Sequence, residues 1–182
     1  TCALPICTVV TWGDNRHNQY DNIPEGRFIA ISSGETHTSA IKEDGTVVTW
    51  GNNERGQYNN IPEGRFIAIS SCGIHTSGIR EDGTVVTWGN NGYNQYDNIP
   101  EGRFIAISSG NFHTSGIKES GHVITWGSNK DEQYKNINWG KFISISSGSY
   151  HTSGIMEDGT VITWGSDEYE QYENSSRANI LR

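Results

Sequence analysis

This 182-residue chain has little with which to cross-link itself, bind a polyanion or enter a bilayer. Its cysteines are Cys2, Cys7 and Cys72, too few for a scaffold built on disulfides. Cys2 and Cys7 either pair in an oxidising compartment or stand as two small apolar residues. No apolar run approaches the roughly 20 residues of a membrane-spanning helix, so the chain reads as soluble. Basic residues are short, with 13 Lys and Arg against 21 Asp and Glu and a net charge of −8. Phosphate backbones are held by clustered Lys and Arg. Here the basic residues sit beside acids, as in Glu25-Gly26-Arg27 and Lys42-Glu43-Asp44. Nucleic acid and anionic membranes are disfavoured as direct partners, whereas a basic protein surface is not. No helical period occurs, and no "GxxxxGK" phosphate loop. The chain begins at Thr1 rather than Met, which implies processing or trimming, and "TCALPIC" is too short for an intact signal peptide. The compartment stays open.

What is present is glycine, 22 residues of it, and repetition. "EDGTVVTWG" at 43–51 returns unchanged at 81–89, then as "ESGHVITWG" at 119–127 and "EDGTVITWG" at 157–165. Trp-Gly falls at Trp12, Trp50, Trp88, Trp126 and Trp164, always 38 residues apart. Gln19-Tyr20 and its four copies, and His-Thr-Ser at His37, His75, His113 and His151, keep the same register. A step this strict requires each unit to stack on the next in one geometry.

Within a unit the pattern reads as strands. "RFIAISS" (27–33) is a short apolar run, "HTSAI" (37–41) is small and polar with an apolar end, and "TVVTW" (46–50) is rich in β-branched residues. Asp44-Gly45 between the last two is a hairpin turn signal. A short fourth strand is expected around Gln57-Tyr58. Strict alternation would point Phe28 and Ala30 to one face and Ile29 and Ile31 to the other. A sheet apolar on both faces needs a neighbour on each side, which radial stacking supplies. The expected fold is an all-β propeller, or an arc of one, with about five short antiparallel blades in a single repeat domain over 1–182.

The pattern "G-x-x-H-T-S-G-I-x-E-D-G-T-V-V-T-W-G-x-N-x-x-x-Q-Y" resembles the regulator of chromosome condensation repeat, in its compact 38-residue variety, from about Thr8 to Asn174. The resemblance implies a propeller, closed with seven blades in known relatives. Seven units of this length need about 266 residues, more than the 182 here. Fewer blades, self-association or a longer parent chain would make up the difference. In the divergent tail, 175–182, Ile180 and Leu181 could pair beside the first Trp-Gly strand and close the ring. The resemblance also implies several jobs: activation of small Ran-type GTPases, chromatin binding, or capping of an enzyme by a secreted inhibitor. No blade carries the inserted loop expected of an exchange factor, and no basic tail is present.

Comparing the copies with one another singles out one face. The "NIPEGRF" connections at 22–28, 60–66 and 98–104 are identical. The loops after Trp-Gly diverge, "DNRHN" (14–18), "NNERG" (52–56), "NNGYN" (90–94), "SNKDE" (128–132) and "SDEYE" (166–170). The residue before each histidine runs Thr36, Ile74, Phe112, Tyr150. A meander places both sets on the same face. Arg16, His17, Arg55, Ile74, Tyr93, Phe112, Tyr150 and Tyr169 are the candidate partner-binding residues, since aromatic and Arg side chains anchor interfaces. Alternatively these loops vary because no turn geometry constrains them. Trp139, alone on the uniform face, is either an anchor or a cover for a blade junction.

No catalytic constellation is legible. The four histidines share their register with no Cys or carboxylate, so a hydrogen-bonded clasp with the following Thr-Ser is expected rather than a metal site. No blade differs in the way a Ser–His–acid site would require. Tryptophans at a strict repeat read as blade core rather than a sugar platform. The expectation is a non-enzymatic propeller without cofactor or metal that binds another protein. A Ran-type GTPase activator, a secreted enzyme inhibitor or a carbohydrate-binding propeller are the alternatives.

Overall fold

The structure, a computed structural model, describes residues 9–130, 133 and 140–166. Cys2, Cys7, Trp139, Tyr169, Gln171-Tyr172 and the tail residues Ile180 and Leu181 lie outside them. The described residues form strands and turns without helix. Their strands fall into four sheets, each a three-stranded antiparallel meander. The first holds β1 (Phe28–Ser33), β2 (His37–Lys42) and β3 (Val47–Gly51), and the second β4 (Phe66–Cys72), β5 (His75–Arg80) and β6 (Val85–Gly89). The third holds β7 (Phe104–Ser109), β8 (His113–Lys118) and β9 (Val123–Gly127), and the fourth β10 (Phe142–Ser147), β11 (His151–Met156) and β12 (Val161–Gly165). First strands of successive sheets lie against one another, β1 on β4, β4 on β7, β7 on β10, while third strands make no comparable approach. The sheets therefore fan outward from their first strands as blades about an axis.

About five blades were expected, and four sheets form among the described residues. The fifth Trp-Gly element, at Trp12, adopts no strand there. Trp12 is 84% exposed, whereas Trp50, Trp88, Trp126 and Trp164 are 3–4% exposed and serve as blade core. Burial of these four indoles leaves them no role as a sugar platform.

Each junction between blades repeats one arrangement. Ile79, Val85 and Ala68 of the second blade pack on Phe104, Trp126 and Ile107 of the third. Ile117, Val123 and Ala106 then pack on Phe142, Trp164 and Ile145 of the fourth. Phe66–Trp88, Phe104–Trp126 and Phe142–Trp164 form edge-to-face pairs with ring centroids 5.7–5.9 Å apart, each worth about 1 kcal/mol beyond its area burial. The phenyl ring lies over the glycine of His-Thr-Ser-Gly. A Cβ on Gly116 would stand 2.7 Å from Phe104 Cδ1. The first blade carries Ala40 there, and Phe28 is only half-buried and forms no such pair with Trp50.

Two expectations fail, for local reasons. Phe and Ala of the first strand do not share a face. The register shifts between Phe66 and Ala68 and at the same place in every blade, so Phe66 and Ile69 meet the preceding blade while Ala68 meets the next. The residue inside the bulge points outward: Ile29, Ile67, Ile105 and Ile143 are 55–62% exposed. The second failure is the fourth strand. Gln57-Tyr58 and Gln95-Tyr96 lie in turns, preceded by Gly56 and Asn94 and followed by Asn60 and Asn98, all at positive φ, which a strand does not tolerate.

The histidines bridge blades rather than strands of one sheet. His37, His75 and His113 place Nε2 2.9, 3.1 and 2.9 Å from the Oγ1 of Thr76, Thr114 and Thr152 in the next blade. The same hydroxyls meet Ser39, Ser77 and Ser115. Deeper toward the axis, Ser71, Ser109 and Ser147 donate backbone N–H to the Oγ of Ser32, Ser70 and Ser108 at 2.8–2.9 Å. Burial pushes His37 and His113 down to about 4 and His75 to about 3, which keeps the imidazoles neutral. A neutral ring bonded to a hydroxyl is a structural clasp.

Candidate functional site

The loop face is assembled on a fixed backbone frame. The amide of the residue after each Trp-Gly donates to the carbonyl of the residue before a histidine: Asn52 to Thr36, Asn90 to Ile74, Ser128 to Phe112, Ser166 to Tyr150, at 2.8–3.0 Å. The glycine between is obligatory. Gly51 has φ 101°, and a Cβ there would lie 2.7 Å from the Thr36 carbonyl oxygen. The opposite face is tied separately, with Phe66 N–H donating to Gly45 O and Glu43 N–H to Arg27 O. On that face Arg27–Glu43, Arg65–Glu81 and Arg103–Glu119 form exposed ion pairs.

Side chains then lock each loop. Asn53 accepts from Tyr58 N–H and donates to Asn59. Gln57 accepts from Arg55 N–H through Oε1 at 3.0 Å and donates from Nε2 to Asn52 at 2.9 Å. Tyr58 OH donates back to Gly51 O at 3.2 Å. The bonds to the Asn Oδ1, to the Gln Oε1 and from the Tyr OH recur with Asn91, Gln95 and Tyr96, and with Asn15, Gln19 and Tyr20, whereas Gln95 Nε2 is buried without a partner. Gln57, Gln95 and Gln133 are 0–1% exposed. These loops therefore vary although their geometry is constrained. The variation includes side chains that the frame holds outward, such as Glu54, Arg55 and Tyr93.

The displayed residues gather in two groups. His17, Glu35, Thr36, Glu54, Arg55 and Ile74 line a cleft of about 350 Å³ between the first loop and the second blade. Asn52 and the buried Gln57 form part of its wall. It is polar and carries both signs of charge. Next to it on the same face runs an aromatic ridge spanning three blades. The Tyr93 and Phe112 rings are 4.4 Å apart at 59°, and Phe112 and Tyr150 5.4 Å apart at 34°. Tyr93 and Tyr150 remain 41% and 38% exposed. Lys130 Nζ sits 5.9 Å from the Tyr93 ring centroid, a cation–π contact.

Of the sequence-nominated residues, His17, Arg55 and Ile74 thus share the cleft, and Tyr93, Phe112 and Tyr150 share the ridge. Arg16 joins neither. It folds back on Asp14, with Nε 2.6 Å from the carboxylate, and that hydrogen bond holds the Asp14 carboxyl below its usual range. Tyr169 lies outside the described residues. Glu35, Glu54 and Lys130 were missed, the last because a lone lysine in a variable loop carries no signal until its ring partner is in place. Among the described residues no His, Cys, Asp and Glu cluster suits a metal ion.

The profile of the Regulator of chromosome condensation (RCC1) repeat matches residues 28–57, 104–133 and 142–171. No curated protein matches the chain. Among solved structures, the CRINKLY WD40 ectodomain of the Arabidopsis thaliana receptor kinase ACR4 is similar at 24% identity and a TM-score of 0.67, over 76% of this chain and 50% of that one. Human WBSCR16 is similar at 16% identity and 0.68, over 84% and 56%. Prp20p from Saccharomyces cerevisiae, described with its binding properties to Gsp1p and histones, is similar at 18% identity and 0.63, over 76% and 44%. The chain spans about half the length of these structures, and likeness at this identity establishes the fold.

Proposed function

Since the chain belongs to the regulator of chromosome condensation repeat family, we propose that it is a non-enzymatic scaffold whose loop face captures another protein. One observation carries this reading. A constant hydrogen-bonded frame holds a contiguous, solvent-facing ridge of Tyr93, Phe112 and Tyr150 beside a mixed-charge cleft containing Arg55. Large rings held rigidly at a surface offer much contact area for little lost rotamer freedom, and Tyr and Arg dominate interface energetics. The cleft adds polar complementarity, which selects partners more than it strengthens them. A protein partner is in keeping with the family, since Prp20p is described with Gsp1p and histones. The family resemblance also suggests a second reading, activation of a small Ran-type GTPase.

The test compares partner capture by the wild-type chain with capture by the triple variant Tyr93→Ala, Phe112→Ala, Tyr150→Ala. The expected outcome is at least a tenfold loss of affinity, since each ring at an interface centre is worth about 1–2 kcal/mol or more. Equal recovery of the same proteins by both refutes the assignment. Accelerated nucleotide release from a purified Ran-type GTPase would favour the second reading, because a passive scaffold leaves that rate unchanged.

A further inference from the structure

The three internal junctions are alike, so the two outermost flanks of the described blades are the two halves of the same joint. On the outer flank of the fourth blade, Ile155 and Val161 are 40% and 44% exposed. Their counterparts at the internal junctions, Ile79, Ile117, Val85 and Val123, are 0–8% exposed. On the outer flank of the first blade, Ile31 is 52% exposed and Phe28 half-buried, where Phe66, Phe104 and Phe142 are 1–2% exposed. In the polar half of the joint Ser146 and Ser33 are exposed and His151 is half-buried, while Thr38 is 4% exposed. His151 and Ser146 stand where His113 and Ser108 reach across to Thr152 and Ser147. Thr38 and Ser33 occupy the corresponding receiving positions.

We propose that the fourth-blade flank of one copy docks on the first-blade flank of a second copy. In this joint His151 would bond Thr38 of the second copy, Ser146 would accept from the Ser33 amide of the second copy, and Ile155 and Val161 would cover its Phe28 and Ile31. Continuity with the internal junctions argues for a second copy over an unrelated partner, because apolar positions, donors and acceptors correspond, with residues 9–20 of the second copy, whose Gln19 packs on Gly51 as Gln95 does on Gly127, displaced to admit the docked blade. One departure is Ser144, which stands where the internal junctions have Ala68 or Ala106; it adds only a hydroxyl. The joint is head-to-tail, so it either closes a ring or propagates.

The test follows mass against concentration by light scattering and sedimentation, from nanomolar to high micromolar, for the 20.1 kDa chain. Wild type is expected to rise to at least twice the monomer mass. Ile155→Asp and Ile31→Asp each place a charge in one half of the joint. Because both residues are exposed, circular dichroism and melting temperature should match wild type. Each variant alone is expected to remain monomeric. Mixed, they retain one good half each and should form a species of two chains and no larger. A monomeric wild type, or variants that associate as wild type does, overturns the proposal. So does association abolished by the Tyr93, Phe112 and Tyr150 substitutions but not by Ile155→Asp, which would move self-association to the loop face.

Discussion

Mild acid should dismantle this fold through its interblade histidines. His37, His75 and His113 are held neutral in the folded chain, at about 4, 3 and 4, whereas an unfolded chain protonates them near 6.5. Their folded values are depressed, so below about pH 6.5 the unfolded state binds more protons than the folded one. Stability is then fully present above that value and falls with pH toward the folded values. Going from about pH 7 to pH 5 costs about 2 kcal/mol per histidine, or about 6 kcal/mol for three, if all stay buried until global unfolding. That loss is comparable with the whole stability of an ordinary domain. The window lies above most carboxylate titration, and the Arg–Glu pairs are exposed and contribute little. Urea unfolding at several values between pH 5 and 7 measures the slope, which should approach three protons. His113→Gln should lower stability near pH 7 while reducing the slope by about one proton. A slope below about one proton for the wild type would refute the assignment of these rings as buried neutral clasps.

Two further predictions bear on the same junctions. Gly116→Ala should cost about 1–3 kcal/mol by driving a methyl into the Phe104 ring, whereas Ala40→Gly, in the blade without that ring pair, should cost about 1 kcal/mol or less through backbone freedom in the strand; equal losses in chemical denaturation would contradict the packing. Thr114→Val keeps the shape but removes the hydroxyl shared by His75 and Ser77, and should cost about 1–3 kcal/mol by leaving His75 Nε2 unpaired, while Ser77 keeps its bond to Thr87. Thr38→Val, whose hydroxyl meets only Ser33 at 3.4 Å, should cost less, and the same unfolding midpoints decide it.

The sequence disclosed the blades because repetition reports stacking directly: a fixed step with Trp-Gly in phase leaves few geometries. It did not disclose the bulge. "FIAI" reads as plain alternation, and the shift between Phe66 and Ala68 arises from pairing with β5, which periodicity within one strand does not encode. Gln57-Tyr58 misled for a related reason. Their conformation is set by bonds to Asn52, Asn53 and Gly51, and a β-propensity reading ignores side chains bonding to their own loop. The candidate face was found by comparing copies, since divergence against a fixed background marks display. Its division into cleft and ridge was not legible, because Tyr93 meets Phe112 only across a blade boundary.

The sameness of the joints has a bearing on how such a gene changes length. A 38-residue cassette gained or lost by unequal recombination meets neighbours that already fit it, so the product keeps a complete set of seams and alters only curvature and circumference. Alleles of different copy number could therefore arise without passing through a misfolded ancestor, each presenting a differently composed rim.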